Sequence, residues 1–263
     1  MSISKTIKAK LFLQRIISFL AFFLLYPFYW ILLFIIGRYR ILAIKKIRKQ
    51  FKSIVKHTSE PLLICSNHLT YIDSVLLVIT FSSFCDYILN FRTMPWNFPK
   101  TTHMKNNFFY KFISYVGKCI FIDLNAPAEK INQPMKIARH LLLCGEYIML
   151  FPEGHRGMNG LVDTKNFTYG VGKLISEVPS IKVLCVYLRG STQSDRSNFP
   201  NKHDQFYCKL NLITSQSINS NAHGLRKIKE ISKNIIQVLF QMEQEYFAHL
   251  THKPSSINGR IDK

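Results

Sequence analysis

Acidic residues are scarce in this chain: 15 Asp and Glu stand against 35 Lys and Arg, a formal charge of +20 over 263 residues. A surface so short of acid attracts polyanions, whether nucleic acid, acidic lipid headgroups or phosphorylated ligands, and charge alone does not choose among them. The six cysteines, Cys65, Cys85, Cys119, Cys144, Cys185 and Cys208, form no C-x-x-C pair. That excludes a cysteine-built metal site, and their apolar settings, as in "KVLCVYL", read as reduced core residues of a cytosol-facing domain. No internal repeat or low-complexity tract is present, which excludes a repeat array. The polar, aromatic-poor composition of a disordered chain is missing too, since hydrophobic residues reach 48% and aromatics 13%. The length fits one α/β domain with an appendage.

Charge itself is absent from "IISFLAFFLLYPFYWILLFIIG", Ile16 to Gly37. Such a run is long enough to cross the hydrocarbon core as one helix. It is too long for a secretory signal and no small-residue cleavage pattern follows it, so it is expected to be retained. Lys5, Lys8, Lys10 and Arg15 precede it, and "RYRILAIKKIRKQFK", Arg38 to Lys52, follows as a juxtamembrane basic cluster suited to anionic lipids. Pro27 sits near its middle. Two geometries are open: a straight span, or a hairpin bent at Pro27 that keeps both basic flanks on the cytoplasmic side. The implied division is a membrane anchor with its basic segment over 1–52, a folded body over 53–252, and a polar tail over 253–263.

Beyond the anchor, strand-like and helix-like stretches alternate. "PLLICS" (Pro61 to Ser66), "KCIFID" (Lys118 to Asp123), "EYIMLF", "SIKVLCVYL" and "QFYCKLNLI" read as strands. "YIDSVLLVITF" reads as a helix started by Thr70, and "QPMKIARHLLLCG" as a helix with Pro134 in its first turn and Gly145 as its cap. A last helix begins near Leu225, where Leu225, Ile228, Ile231, Ile235, Val238 and Met242 recur at helical spacing. The expected fold class is α/β: a layered mixed sheet flanked by helices, with an N-terminal membrane-anchoring helix or helical hairpin. Gly190 to Asp204 is the least ordered-looking stretch.

Two polar turns interrupt this pattern where strands end. "SNHLTYIDS" follows the first strand and places Asn67 and His68 ahead of Asp73; His68 and Asp73 fit a base and its orienting acid, while Thr70-x-x-Asp73 also fits a capping box. "LFPEGHRGMNG" follows a later strand, with Pro152 and Gly154 forcing a turn that presents Glu153, His155 and Arg156. Ligands of open α/β sheets gather at strand carboxyl ends.

These residues resemble the motifs of the glycerolipid acyltransferases. The N-H-x-x-x-x-D motif of that family is matched by Asn67, His68 and Asp73, and its F-P-E-G-x-R motif by Phe151, Pro152, Glu153, Gly154 and Arg156. Phe167 and Gly170 resemble a following F-x-x-G, and "GKCIFID" and "VPSIKVLCVYLRG" resemble two further segments, so the similarity runs from about Leu62 to Arg189. An N-terminal membrane anchor is usual in the family. Three positions depart from it: Leu124 stands where an acceptor-binding Arg is common, and His155 and Gly157 replace the more usual Thr and Ser.

The resemblance implies a membrane-bound enzyme that moves a fatty acyl group from an acyl thioester, on coenzyme A or acyl carrier protein, to the hydroxyl of a lysophospholipid, foremost 1-acyl-glycerol-3-phosphate. His68 is the implied base and Asp73 its partner. Asn67, Glu153, Gly154 and Arg156 are implied in substrate binding, Arg156 by a forked contact to the acceptor's phosphate. Lys118 and Lys130 are candidates for the phosphate contact that Leu124 does not supply. No metal and no cofactor are required beyond the thioester donor. Expected partners are anionic membrane lipids, the lysolipid and the donor, with no nucleic acid, and the catalytic body faces the cytoplasm. Another lysophospholipid or an aminoacyl lipid is an alternative acceptor; a non-catalytic basic membrane binder is the alternative of a different class.

Overall fold

The computed structural model describes residues 3–101, 107–123, 127–157, 159–195, 197–214, 218 and 222–251. Its strands are β1 (Arg40–Ile41), β2 (Leu62–Ser66), β3 (Trp96–Asn97), β4 (Ile148–Leu150), β5 (Lys182–Gly190) and β6 (Gln205–Thr214). They form one six-stranded sheet in the order β1-β6-β5-β2-β4-β3. β5 and β6 are antiparallel and every other pair is parallel. The central strand β2 is buried at all five positions and reads as an unbroken apolar run, as a strand covered on both faces must.

Side-chain alternation sorts the core into two layers. Leu63, Cys65, Val183, Cys185 and Tyr187 face one side of the sheet, where α6 (Ala128–Leu143), α7 (Gly170–Glu177) and α8 (Gly224–Thr251) pack. Leu62, Ile64, Leu184, Val186 and Leu188 face the other, against α2 (Ile44–Lys56), α3 (Asp73–Phe81) and α4 (Phe84–Leu89). The architecture is the expected mixed sheet between helices.

Helix α1 (Lys5–Trp30) passes straight through Pro27 and continues as a π-helical segment, Ile31–Ile36, ending at Gly37. The hairpin reading of the anchor is therefore corrected: the chain does not bend back at Pro27. Nor does α1 stand off from the body. Leu11, Gln14, Ser18, Phe22 and Tyr26 form a buried stripe at three- and four-residue spacing. Its polar members meet the helix α5 (Phe108–Val116) and the segment after it. Gln14 donates to the carbonyls of Tyr115 at 2.9 Å and Cys119 at 3.0 Å, and Ser18 to that of Tyr115. Phe22 stacks on Phe84, with ring centroids 5.2 Å apart. The outer face of the same helix exposes Phe12, Leu20, Leu24 and Phe28.

Three sequence expectations shift. "KCIFID" does not form a full strand but touches the sheet edge through the isolated bridges Asn97↔Cys119 and Lys100↔Ile122. α6 begins ahead of Pro134, which lies inside the helix rather than in its first turn. α3 begins at Asp73, not at Thr70. The tail over 253–263, Leu124 and the Lys130 side chain lie outside the described residues.

Candidate active site

β2 and β4 are parallel neighbours, with Cys65 paired to Leu150, so their carboxyl ends lie side by side. That register brings together two turns separated by more than eighty residues of chain. After β2 the chain leaves through α3 on one face of the sheet, and after β4 through α7 on the other. Neighbouring parallel strands whose chains exit to opposite faces mark the place where open α/β sheets hold ligands.

Asn67 extends the ladder by its side chain. Its Nδ2 donates to the Leu188 carbonyl at 2.9 Å and its Oδ1 accepts from the Leu188 N–H at 2.8 Å. With Asn67 thus pinned to β5 and buried, it holds the start of the loop. His68 follows, with its Nδ1 3.0 Å from Asp73 Oδ2 and its ring stacked on Phe151, centroids 4.2 Å apart. The pairing engages Nδ1, leaves Nε2 as the ring nitrogen not held by Asp73, and the stack on Phe151 fixes the ring plane.

Asp73 has two roles at once. Its Oδ2 also accepts the N–H groups of Leu69 at 2.7 Å and Thr70 at 2.8 Å, and its Oδ1 accepts the Thr70 hydroxyl. The capping-box reading is corrected: α3 begins at Asp73, and the Thr70 hydroxyl donates to the carboxylate instead of accepting an N–H of the helix, so the carboxylate shapes the loop and holds the imidazole at the same time.

The second turn locks onto the first. Gly154 has φ +68°, in the left-handed region that side chains disfavour, and its N–H closes the turn on the Phe151 carbonyl at 2.9 Å. Gly157 donates to the His68 carbonyl at 3.1 Å. A Cβ at that position would lie 2.2 Å from the Leu161 carbonyl oxygen, which explains why a larger residue is not found there. Glu153 is 1% exposed and bridges the two turns: Oε1 accepts the His68 N–H and Oε2 the Asp163 N–H, each at 3.0 Å. Burial pushes its carboxyl up to about 8, against the opposing pull of those two N–H donors. Both oxygens are engaged by backbone, so Glu153 orders the turns rather than reaching for substrate.

Arg156 is 7% exposed. Its Nη1 donates to the Ser197 carbonyl at 3.0 Å and to Asn198 Oδ1 at 2.9 Å, and its guanidinium lies 3.8 Å from the centroid of the Tyr71 ring. The stretch from Gly190 to Asp204, which looks least ordered in sequence, thus supplies a strap over the arginine, held further by the Tyr71 N–H on the Asn198 carbonyl at 3.0 Å. Neither Tyr71 nor the strap is legible as a site residue beforehand, because strap and motif are distant in sequence and the strap is ordinary polar loop in composition. His155 points its Nε2 at Asp163 Oδ2, 3.1 Å away. Asp163 also accepts from Lys165, Asn166 and the Asn166 side chain; despite some desolvation, these donors hold its carboxyl down to about 2.

Lys118 is not beside these two turns. It is wholly buried at the amino-terminal end of β4, the opposite end of the sheet, with Nζ 2.9 Å from Glu146 Oε2 and 2.6 Å from the Met94 carbonyl. Arg15 of α1 takes the other Glu146 oxygen at 2.9 Å, and Trp96 Nε1 donates to Oε2 at 2.9 Å. Burial pulls the Lys118 ammonium down to about 8, with Glu146 opposing that shift. The reading of Lys118 as a phosphate contact is corrected on this geometry: a lysine enclosed with a carboxylate at the far end of the sheet cannot meet a headgroup at the near end.

A half-buried imidazole held by a buried carboxylate, beside an arginine-bearing turn at the carboxyl ends of parallel strands, is the kind of arrangement expected of a group-transfer enzyme. A model of the Acyltransferase family matches residues 45–189, more than half of the chain. The chain belongs to that family, the family of the glycerolipid acyltransferases. No individual curated protein matches it.

Proposed function

We propose that this acyltransferase moves a fatty acyl group from an acyl thioester, on coenzyme A or acyl carrier protein, to the hydroxyl of a lysophospholipid, foremost 1-acyl-glycerol-3-phosphate. The observation that carries the reading is the His68 Nδ1–Asp73 Oδ2 contact of 3.0 Å. With Nδ1 held by a carboxylate, Nε2 takes the proton of the acceptor hydroxyl as its oxygen attacks the thioester carbonyl. The imidazolium so formed is stabilised by Asp73 and returns the proton to the departing thiolate. The acceptor oxygen is itself the nucleophile, so no Ser or Cys intermediate is needed. Arg156 supplies positive charge for the headgroup, with its orientation set by Tyr71 and Asn198.

The same proposal places the enzyme on the cytoplasmic side of an anionic membrane. The helix over Lys5–Ile36 is long and apolar enough to cross a membrane, and α1 packs along the body through one stripe, so its exposed face suits a lipid surface met side-on. α5 adds exposed Phe108 and Phe109. The basic face of α2 suits headgroup phosphates.

The test is thiol release from acyl-coenzyme A and from acyl carrier protein by the full-length protein in lipid–detergent micelles, with lysophosphatidate, other lysophospholipids and aminoacyl lipids as acceptors. Acceptor-dependent release that is greatest with lysophosphatidate and lost in His68→Ala is expected. Release that ignores the acceptor, or survives His68→Ala, refutes the assignment.

A further inference from the structure

The segment from Gly160 to Asp163 holds no group that the proposed chemistry uses, yet three buried ionisable side chains, Arg189, Glu243 and Glu153, hold its backbone. Arg189 at the end of β5 donates from Nη1 to the Gly160 carbonyl. The Val162 N–H donates to Glu243 of α8, 3.1 Å from Oε1 and 3.3 Å from Oε2. The next N–H, that of Asp163, donates to Glu153 Oε2 at 3.0 Å, and Oε1 of the same carboxyl holds the His68 N–H at 3.0 Å. Only the backbone of Val162 separates the two carboxyl groups.

Glu243 is an unusual choice for its position. It is 1% exposed on a helix face whose neighbours Leu239, Met242 and Tyr246 are buried core residues. Packing alone favours an apolar side chain there, because burying a carboxyl group is costly unless its oxygens are satisfied. Its partners explain its presence: besides Val162, Oε1 accepts the Tyr187 hydroxyl at 3.2 Å, and Arg189 Nη1 lies 3.9 Å away.

We infer that Glu243 is a positioning residue for acyl transfer, which sets Val162 and Asp163 so that Glu153 holds the backbone of His68 in register with Asp73. The inference rests on the function proposed above. It makes α8, which lies beyond the matched residues 45–189, part of the active-site framework. What matters at position 243 is then the reach of an acceptor oxygen to the Val162 N–H. A misplacement of about 1 Å at a remote site costs on the order of a hundredfold in rate.

The experiment compares two variants of the full-length protein in the micelle assay. Glu243→Gln keeps the reach and removes the charge; Glu243→Asp keeps the charge and loses one methylene of reach. Activity should follow reach: Glu243→Asp is expected to lower kcat about ten- to a hundredfold with both Michaelis constants within about threefold, and Glu243→Gln to recover most of the rate. Each is assayed at least ten degrees below its own melting temperature, so that lost fold is not read as lost rate. A wild-type kcat in Glu243→Asp, a loss that falls on a Michaelis constant alone, or activity that follows charge overturns the inference while the parent enzyme remains active. An inactive parent overturns the function and the inference together.

Discussion

Replacing Asp73 by Asn and by Ala separates its two roles. The carboxylate accepts from Leu69 N, Thr70 N and the Thr70 hydroxyl as well as from His68. An Asn side chain places its carbonyl oxygen where Oδ2 lies and its amide opposite the Thr70 hydroxyl, which accepts as readily as it donates. The loop survives, and the exchange of charge-assisted for neutral hydrogen bonds costs about 1–2 kcal/mol of stability. Catalysis loses more. At 3.0 Å and an effective dielectric of about 20, carboxylate and imidazolium attract by about 5 kcal/mol. His68 keeps 22% of its side-chain surface, and solvent screening reduces that figure to about 3 kcal/mol. Since each 1.4 kcal/mol is about tenfold, kcat should fall on the order of a hundredfold. Asp73→Ala adds the cost of three buried donors left without their acceptor, several kcal/mol at about 1–3 kcal/mol each, so it should melt far lower. The assay pairs thiol-release kinetics with thermal melts. Asp73→Asn with more than about a fifth of wild-type kcat, or with a melting temperature as low as that of Asp73→Ala, refutes the reasoning.

Other perturbations follow from the same contacts. Burial raises the Glu153 carboxyl from 4.5 to about 8 in the folded state, so its contribution to stability is complete below about pH 4.5 and is lost as pH rises to about 8. Melting temperature should therefore decline across pH 5 to 8, and Glu153→Gln should flatten the decline; an equally steep curve in the variant contradicts the assignment. Lys118→Met should destabilise by about 3 kcal/mol, by breaking a wholly buried ion pair, while leaving the acceptor's Michaelis constant unchanged. A raised acceptor constant at full stability would return Lys118 to the binding site. Arg156→Lys should raise that constant about tenfold, because an ammonium loses the planar stack on Tyr71 as well as the contact to Asn198; wild-type acceptor kinetics argue against it. A chain starting at Arg38 should aggregate rather than yield a soluble body, since it uncovers the stripe seated by Gln14, Ser18 and Phe22. Monodisperse, folded material in size-exclusion chromatography and circular dichroism shows that α1 is dispensable.

The amino-acid sequence by itself determined the ends of the strands that carry chemistry. An apolar run closed by Asn67-His68, and another closed by Phe151-Pro152-Glu153-Gly154, mark polar turns at strand carboxyl ends whatever the order of the strands. The His68–Asp73 pair was legible for the same reason: five residues of chain keep the two groups within reach. The unbroken apolar run of β5 and the three- and four-residue spacing of α8 are likewise local signals. Register and burial were decided only in three dimensions. The parallel pairing of β2 with β4 makes one Glu153 carboxyl serve both turns, and no local pattern announces a hydrogen bond across 85 residues. Lys118 looks like any cation until the fold encloses it with Glu146, and Arg156 looks exposed until the strap and Tyr71 cover it. An apolar helix carries the same composition whether or not one of its stripes packs on its own domain; that Leu11, Gln14, Ser18, Phe22 and Tyr26 are buried is decided by the fold, because the partners of Gln14 and Ser18 lie about a hundred residues away in sequence.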